Sequence, residues 1–254
     1  MKSSRSLDGA VRSNSDVSRM DSAEFVAHLD RRIAALTESI EESEVWRTVT
    51  SPDTDPELLK LVLREVHLEI TLYQSEVIEA AIATIGQMPR SMKPKLVRLM
   101  LGHQAEEFDH GEMAMRDYVA LGGDEAAARS RRPSPTALAV AGVWWMLARR
   151  RRPAAYLGAL YLFEGLTPLV TSRVQQQLGS RGLSLGPLDF ISFHATEDIR
   201  HTGMVHRMIT DTLATCPGAA EDMDHGFDCF AHVYPLPGWE AALERARREF
   251  EGRG

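Results

Sequence analysis

The chain has 254 residues, 44% of them hydrophobic and 26% charged, with 36 acidic against 29 basic side chains. That length suits one large core, and a formal charge of −7 argues against a dedicated nucleic-acid binder, which needs a basic face. Cys216 and Cys229 cannot build a disulfide framework, the N-terminus lacks the apolar stretch of a signal peptide, and the longest apolar run, Leu138 to Ala148, is too short to span a bilayer. The expectation is a soluble, cytoplasmic protein without membrane or nucleic-acid partners.

Residues 1–20, rich in Ser and Arg, predict a disordered lead-in, and residues 21–254 a single helical domain. Asp21 and Glu24 form a capping-box-like start, followed by Phe25, Leu29, Ile33, Leu36 and Ile40 at helical steps. Asp55-Pro56 opens a long second helix toward Gly86, and a third runs from near Ser91 to Gly122-Gly123. Ser134-Pro135 starts an apolar fourth helix ending in Arg149 to Arg152, Pro153 a fifth that stops near Gly179, and Gly186-Pro187 a sixth that reaches Leu213. A last helical stretch, Ala219 to Val233, precedes Pro235 and Pro237, which are expected to break it. With no period-2 strand and no repeat, the pattern predicts an all-α, single-domain bundle of about seven helices.

Polar residues on the apolar stripes are the candidates for chemistry. On the sixth helix, His194, Asp198 and His201 occupy the stripe between Phe190/Ile191 and Val205/Met208, at steps of four and three. Burying three such groups costs several kcal/mol (roughly) unless something compensates them, and a divalent metal does so with imidazole and carboxylate ligands; the alternative is a hydrogen-bonded cluster that only fills space. The third helix repeats the pattern with Glu107-x-x-His110 on a face that also carries Leu96, Met100, His103 and Ala114. Glu106 is also in reach of His110, so Glu106 and Glu107 compete for the role, with Glu107 favoured. His103 reads as a core or outer-layer histidine. From Ala154 to Val170 the only charged residue is Glu164, and Pro168 one turn later is expected to kink that helix. Glu65, Glu69 and Glu76 border the stripe of the second helix, where plain amphipathicity is the competing explanation. Three histidines and three carboxylates fit two metal ions, since one zinc needs only three or four ligands; the mixed N/O set suits iron or manganese.

These residues resemble the heme-oxygenase-like diiron oxidases and oxygenases, the iron-containing redox enzymes. The resemblance rests on Glu107-x-x-His110, Glu164 in YLFEG, and His194-x-x-x-Asp198-x-x-His201, and covers about residues 55 to 213. It implies a heme-oxygenase-like bundle holding two Fe(II)/Fe(III) ions, with O2 as co-substrate and Glu164 a candidate bridging carboxylate. The implied reactions are N-oxygenation, oxidative C–C cleavage or desaturation of a small amino-acid-derived or fatty-acid-like substrate, as in biosynthesis. A ferritin-like diiron site is the rival, built from Glu76, Glu107/His110, Glu164 and Asp198/His201. His194 discriminates, because a ferritin-like site does not need it. A metal-free helical ligand-binding protein is the non-enzymatic alternative. Arg129, Arg131, Arg132 and Arg149 to Arg152 place seven positive charges in 24 residues; they read as solvated helix ends or as a dock for an acidic carrier protein. A homodimer is left open.

Overall fold

Asp21 opens the first helix as a true capping box: its carboxylate accepts from the Ala23 and Glu24 amides at 2.9 Å, while Glu24 Oε2 accepts from the Asp21 amide at 3.0 Å. The computed structural model describes residues 17–88, 92–149, 152–180 and 188–253, and within these the side chains of 197–199 lie outside the description. Val17, the first described residue, is buried. Among the described residues there are twelve α-helices and no strand. They are α1 (Ser22–Glu41), α2 (Glu44–Thr50), α3 (Pro56–Ile85), α4 (Pro94–Glu106), α5 (His110–Ala120), α6 (Glu125–Ser130), α7 (Pro135–Arg149), α8 (Pro153–Ser180), α9 (Asp189–His194), α10 (Glu197–Leu213), α11 (Ala219–Ala231) and α12 (Leu236–Glu251). A 3-10 turn, Glu107–Asp109, joins α4 to α5.

The all-α expectation holds, and the helix number exceeds seven for identifiable reasons. The expected third helix is interrupted at Glu107–Asp109, and the expected sixth divides at Ala195-Thr196 into α9 and α10. Pro235 and Pro237 do not end the helical structure: α12 starts there, with proline in the first turn, where a missing N–H costs nothing.

Two long helices organise the bundle. The 28-residue α8 is buried on all sides from Ala154 to Glu164 and packs against α9, α10 and α11. Its contact with α11 is backbone to backbone. A Cβ added at Gly158 would stand 1.8 Å from the Met223 carbonyl oxygen, and one at Gly226 1.9 Å from that of Ala155. The 30-residue α3 carries α5, α7 and α12 around it. Side chains from nearly every helix join one apolar core.

The arginine-rich stretch is partly neutralised locally: Arg129 pairs with Glu112 and Glu125, and Arg152 with Asp222. Arg150 and Arg151 lie outside the described residues. No helix among the described residues is long and apolar enough to cross a membrane.

Candidate metal centre

The two helix interruptions fall at the polar stripes. His103 is near the end of α4, Glu107 starts the 3-10 turn, His110 starts α5, and His194 is the last residue of α9. Together with Glu164 from the middle of α8 and His201 from α10 they form a buried cluster. His103, Glu107, Glu164 and His201 present ligand atoms within 4.8 Å of one another, and so do Glu107, His110 and His194. Glu107 belongs to both groups. Its Oε2 stands 2.6 Å from His110 Nδ1 and its Oε1 2.9 Å from His201 Nδ1. Glu164 approaches His103 Nε2 at 3.2 Å and His201 Nδ1 at 3.5 Å. His194 Nε2 lies 3.1 Å from His110 Nδ1.

The surroundings fix two ring orientations. His194 Nδ1 is 2.6 Å from the Phe190 carbonyl oxygen; a carbonyl only accepts, so Nδ1 carries the proton and Nε2 turns a lone pair to the cluster. Burial, reinforced by the adjacent His110, pushes its pKa down to about 4 and keeps the ring neutral, the form a metal needs. His201 faces outward through Nε2, 3.0 Å from Glu106 Oε2, and inward through Nδ1. Burial alone would raise the Glu107 pKa; contacts with His110 and His201 outweigh it, and the carboxyl is held well below the usual range. Glu164, whose burial and proximity to Glu107 act upward, is brought down by His103.

The donor set fits bound metal in its chemistry and in what it leaves unfinished. His103 Nε2 and Glu107 Oε1 are fully buried, and their approaches to Glu164 and His201 lack hydrogen-bond geometry, an arrangement rare in folded proteins without a bound partner. Both groups mix imidazole and carboxylate donors, and the absence of thiolates among them favours iron or manganese over a structural zinc.

Backbone chemistry holds Glu164 and His194 in place. α8 continues through Pro168, which has no N–H to give the Glu164 carbonyl four residues back. Thr202 Oγ1 of α10 donates to that carbonyl at 2.9 Å instead, tying the helix of His201 to that of Glu164. Asp117 of α5 accepts from the Asp189 and Phe190 amides at 2.8 and 3.0 Å and so caps α9 from a distant part of the chain.

Several carboxylates singled out by the sequence stand elsewhere. Glu106 is on the solvent side, bound to Arg200 and to the outer nitrogen of His201, so it is Glu107 that reaches both donor groups. Glu69 pairs with Arg245 of α12 at 2.6 Å and accepts from Ser134 and Thr136; Glu65 pairs with Arg64 and Arg245. Glu76 is exposed and accepts from Trp145 Nε1 at 2.7 Å, leaving the ferritin-like arrangement without its first carboxylate. Glu164 lies in one donor group and Glu107 in both. The Asp198 side chain lies outside the described residues. His103, expected as a core or outer-layer histidine, lies in one of the donor groups; sequence reasoning missed Asp117 and Thr202, whose partners are distant in the chain.

An apolar cavity of about 820 Å³, its open mouth included, lies beside the cluster. Val66, Ile70, Leu166, Val170 and Val174 line it, and the Phe190 ring that borders it also stacks on His194, with centroids 3.8 Å apart. Among the described residues that line it, His67 is the one with an ionisable acidic or basic side chain apart from tyrosine.

Fold and site thus define a helical bundle with a buried histidine–carboxylate cluster able to hold metal. The chain belongs to the iron-containing redox enzyme family, whose sequence profile matches residues 70–234. Among solved structures it is similar to a domain of unknown function with a heme oxygenase-like fold from Shewanella denitrificans OS217. The two share 20% identity and a TM-score of 0.69, over 89% of this chain and 93% of that one. It is also similar to a TenA homolog from Pseudomonas syringae pv. tomato str. DC3000, with 14% identity and a TM-score of 0.65 over 90% and 96% of the two chains. At these identities the likeness establishes the heme oxygenase-like fold. No curated protein matches the sequence.

Proposed function

We propose that the protein is a diiron oxidase or oxygenase that uses O2. The observation that carries this reading is the position of Glu107 between two buried donor groups. One iron would be held by Glu107, His110 and His194 and the other by Glu107, Glu164 and His201, with Asp198 completing the set from the first turn of α10. Ferrous ions bound there would supply the electrons that reduce O2. The chain's own residues prepare the site: the Phe190 carbonyl orients His194, Glu106 and Arg200 brace His201 from outside, and Phe163 and Phe190 keep water from the cavity side.

The cavity supports a fatty-acid-like substrate over an amino acid. An ammonium group among the described lining side chains would find no Asp or Glu partner, while a carboxylate, which both classes carry, could meet His67; each buried methylene gains about 0.8 kcal/mol, which favours the long chain. Oxygen uptake by anaerobically Fe(II)-loaded protein, mixed with O2 and either linear carboxylic acids or amino acids, tests both statements. Acceleration by the linear acids is expected. Oxygen uptake no faster than that of free Fe(II), with every compound, would refute the oxidase reading, and acceleration by amino acids alone would refute the substrate class.

A further inference from the structure

His103 is the cluster histidine that the diiron reading does not use. It is completely buried, and its Nε2 stands 3.2 Å from Glu164 Oε1 within the donor group of Glu107 and His201. Its other nitrogen, Nδ1, lies 3.0 Å from the side-chain amide nitrogen of Gln104. That same amide nitrogen donates to Tyr156 Oη at 3.1 Å, while Gln104 Oε1 is buried without a hydrogen bond. Gln104 and Tyr156 are both buried.

This arrangement has a definite protonation consequence. An amide N–H can only donate, so Nδ1 of a neutral His103 accepts and Nε2 carries the ring proton. A metal ligand needs the reverse, a bare Nε2 with the proton on Nδ1. A half-turn of the Gln104 amide supplies it. Its oxygen would then accept from His103 Nδ1–H and from the Tyr156 hydroxyl, using both lone pairs. The displaced NH2 would take the place of an oxygen that already has no partner, so the count of unpartnered amide ends does not rise.

We propose that His103 is a seventh iron ligand through Nε2, and that Gln104, backed by Tyr156, is the positioning residue that selects the Nδ1–H tautomer this requires. The inference rests on the diiron reading and adds to it a ligand and the switch that arms it. Tyr156 suits its part: burial, followed by the field of Glu164, raises its pKa far above the usual phenol value, so it is always available to donate.

The test uses full-length protein and Zn(II) as a diamagnetic probe, read by ¹⁵N NMR of the histidine rings and by metal titration. Expected are a change of His103 from Nε2–H to Nδ1–H on loading, and a tenfold to hundredfold weaker affinity at one site in Gln104→Leu, the size of effect that outer partners of ligating histidines exert. Gln104→Glu, whose carboxylate oxygens accept in either orientation, should restore or exceed wild-type affinity, a rescue that general loosening of the core would not give. Circular dichroism and thermal melting establish that each variant is folded; should Gln104→Leu fail to fold, the Glu variant and the wild-type tautomer carry the test. His103 remaining Nε2–H in the loaded protein, or two sites of unchanged affinity in both Gln104→Leu and His103→Ala, would overturn this proposal and leave the diiron reading standing. Wild-type protein that binds no metal would overturn both.

Discussion

Gly158 and Gly226 allow α8 and α11 to meet without side chains between them, and a side chain placed there would collide with backbone. In Gly158→Ala the new methyl would lie 1.8 Å from the Met223 carbonyl oxygen, where ordinary contact begins at 3.4 Å. The helices must therefore separate by about 1.6 Å, because the obstacle is backbone and cannot rotate aside. Overpacking of this kind typically costs 1–3 kcal/mol, and a rigid neighbour puts it at the top of the range, about 3 kcal/mol. For a chain of this size that lowers Tm by roughly 6–12 °C. Glu164 sits six residues along α8, roughly 9 Å away, so the displacement should also weaken metal binding. Gly142→Ala on α7 is the control, since a Cβ there meets nothing within 4 Å and should add up to about 1 kcal/mol through helix propensity. Both proteins are compared by thermal melting and metal titration. A Gly158→Ala protein as stable as Gly142→Ala would refute the close approach of the two helices.

Thr202→Val should cost about 1–3 kcal/mol by leaving the Glu164 carbonyl unpaired, but less in a Pro168→Ala background, where residue 168 regains an N–H to donate. A double-mutant cycle by urea denaturation measures this, and strict additivity would contradict the assigned bond. Asp224, which joins His28 and Arg32 of α1 to α11 at 2.8 and 2.6 Å, has a lowered pKa. Burial opposes the shift and the pairing with His28 and Arg32 outweighs it. Because its folded value lies below the unfolded one, its contribution is complete above the unfolded pKa and fades as pH falls through the folded one. Asp224→Asn should therefore cost about 1–2 kcal/mol near neutral pH and progressively less below about pH 4; an equal loss at pH 3 and pH 7 would count against the pairing. His194→Ala should bind one iron per chain in place of two, and retention of two by metal analysis would return the ferritin-like arrangement to consideration.

The stripe argument located most of the cluster because buried polar residues at helical spacing violate the apolar pattern that a core imposes. Glu107, His110, Glu164, His194 and His201 all lie in the interior together. Two features escaped it. The turns at Glu107–Asp109 and Ala195-Thr196 break helices whose hydrophobic period runs on through them, so periodicity gave no sign of the break. The helix α12 starts at the two prolines, Pro235 just before it and Pro237 in its first turn, and proline marks a helix start as readily as an end. That second omission also bears on α3: Glu65 and Glu69 stayed open as candidate ligands beside the amphipathic reading because their partner, Arg245, comes from α12. Glycine approach and the Thr202 and Asp117 bonds depend on residues distant in sequence, which no local pattern encodes.

The most direct measurement is the iron content of full-length protein loaded anaerobically with Fe(II) and freed of unbound metal, compared with Glu107→Ala. Two irons per wild-type chain, with both lost or greatly weakened in Glu107→Ala, is the result predicted by a carboxylate common to both donor groups. A single iron in the wild type, or two retained in Glu107→Ala, would contradict it.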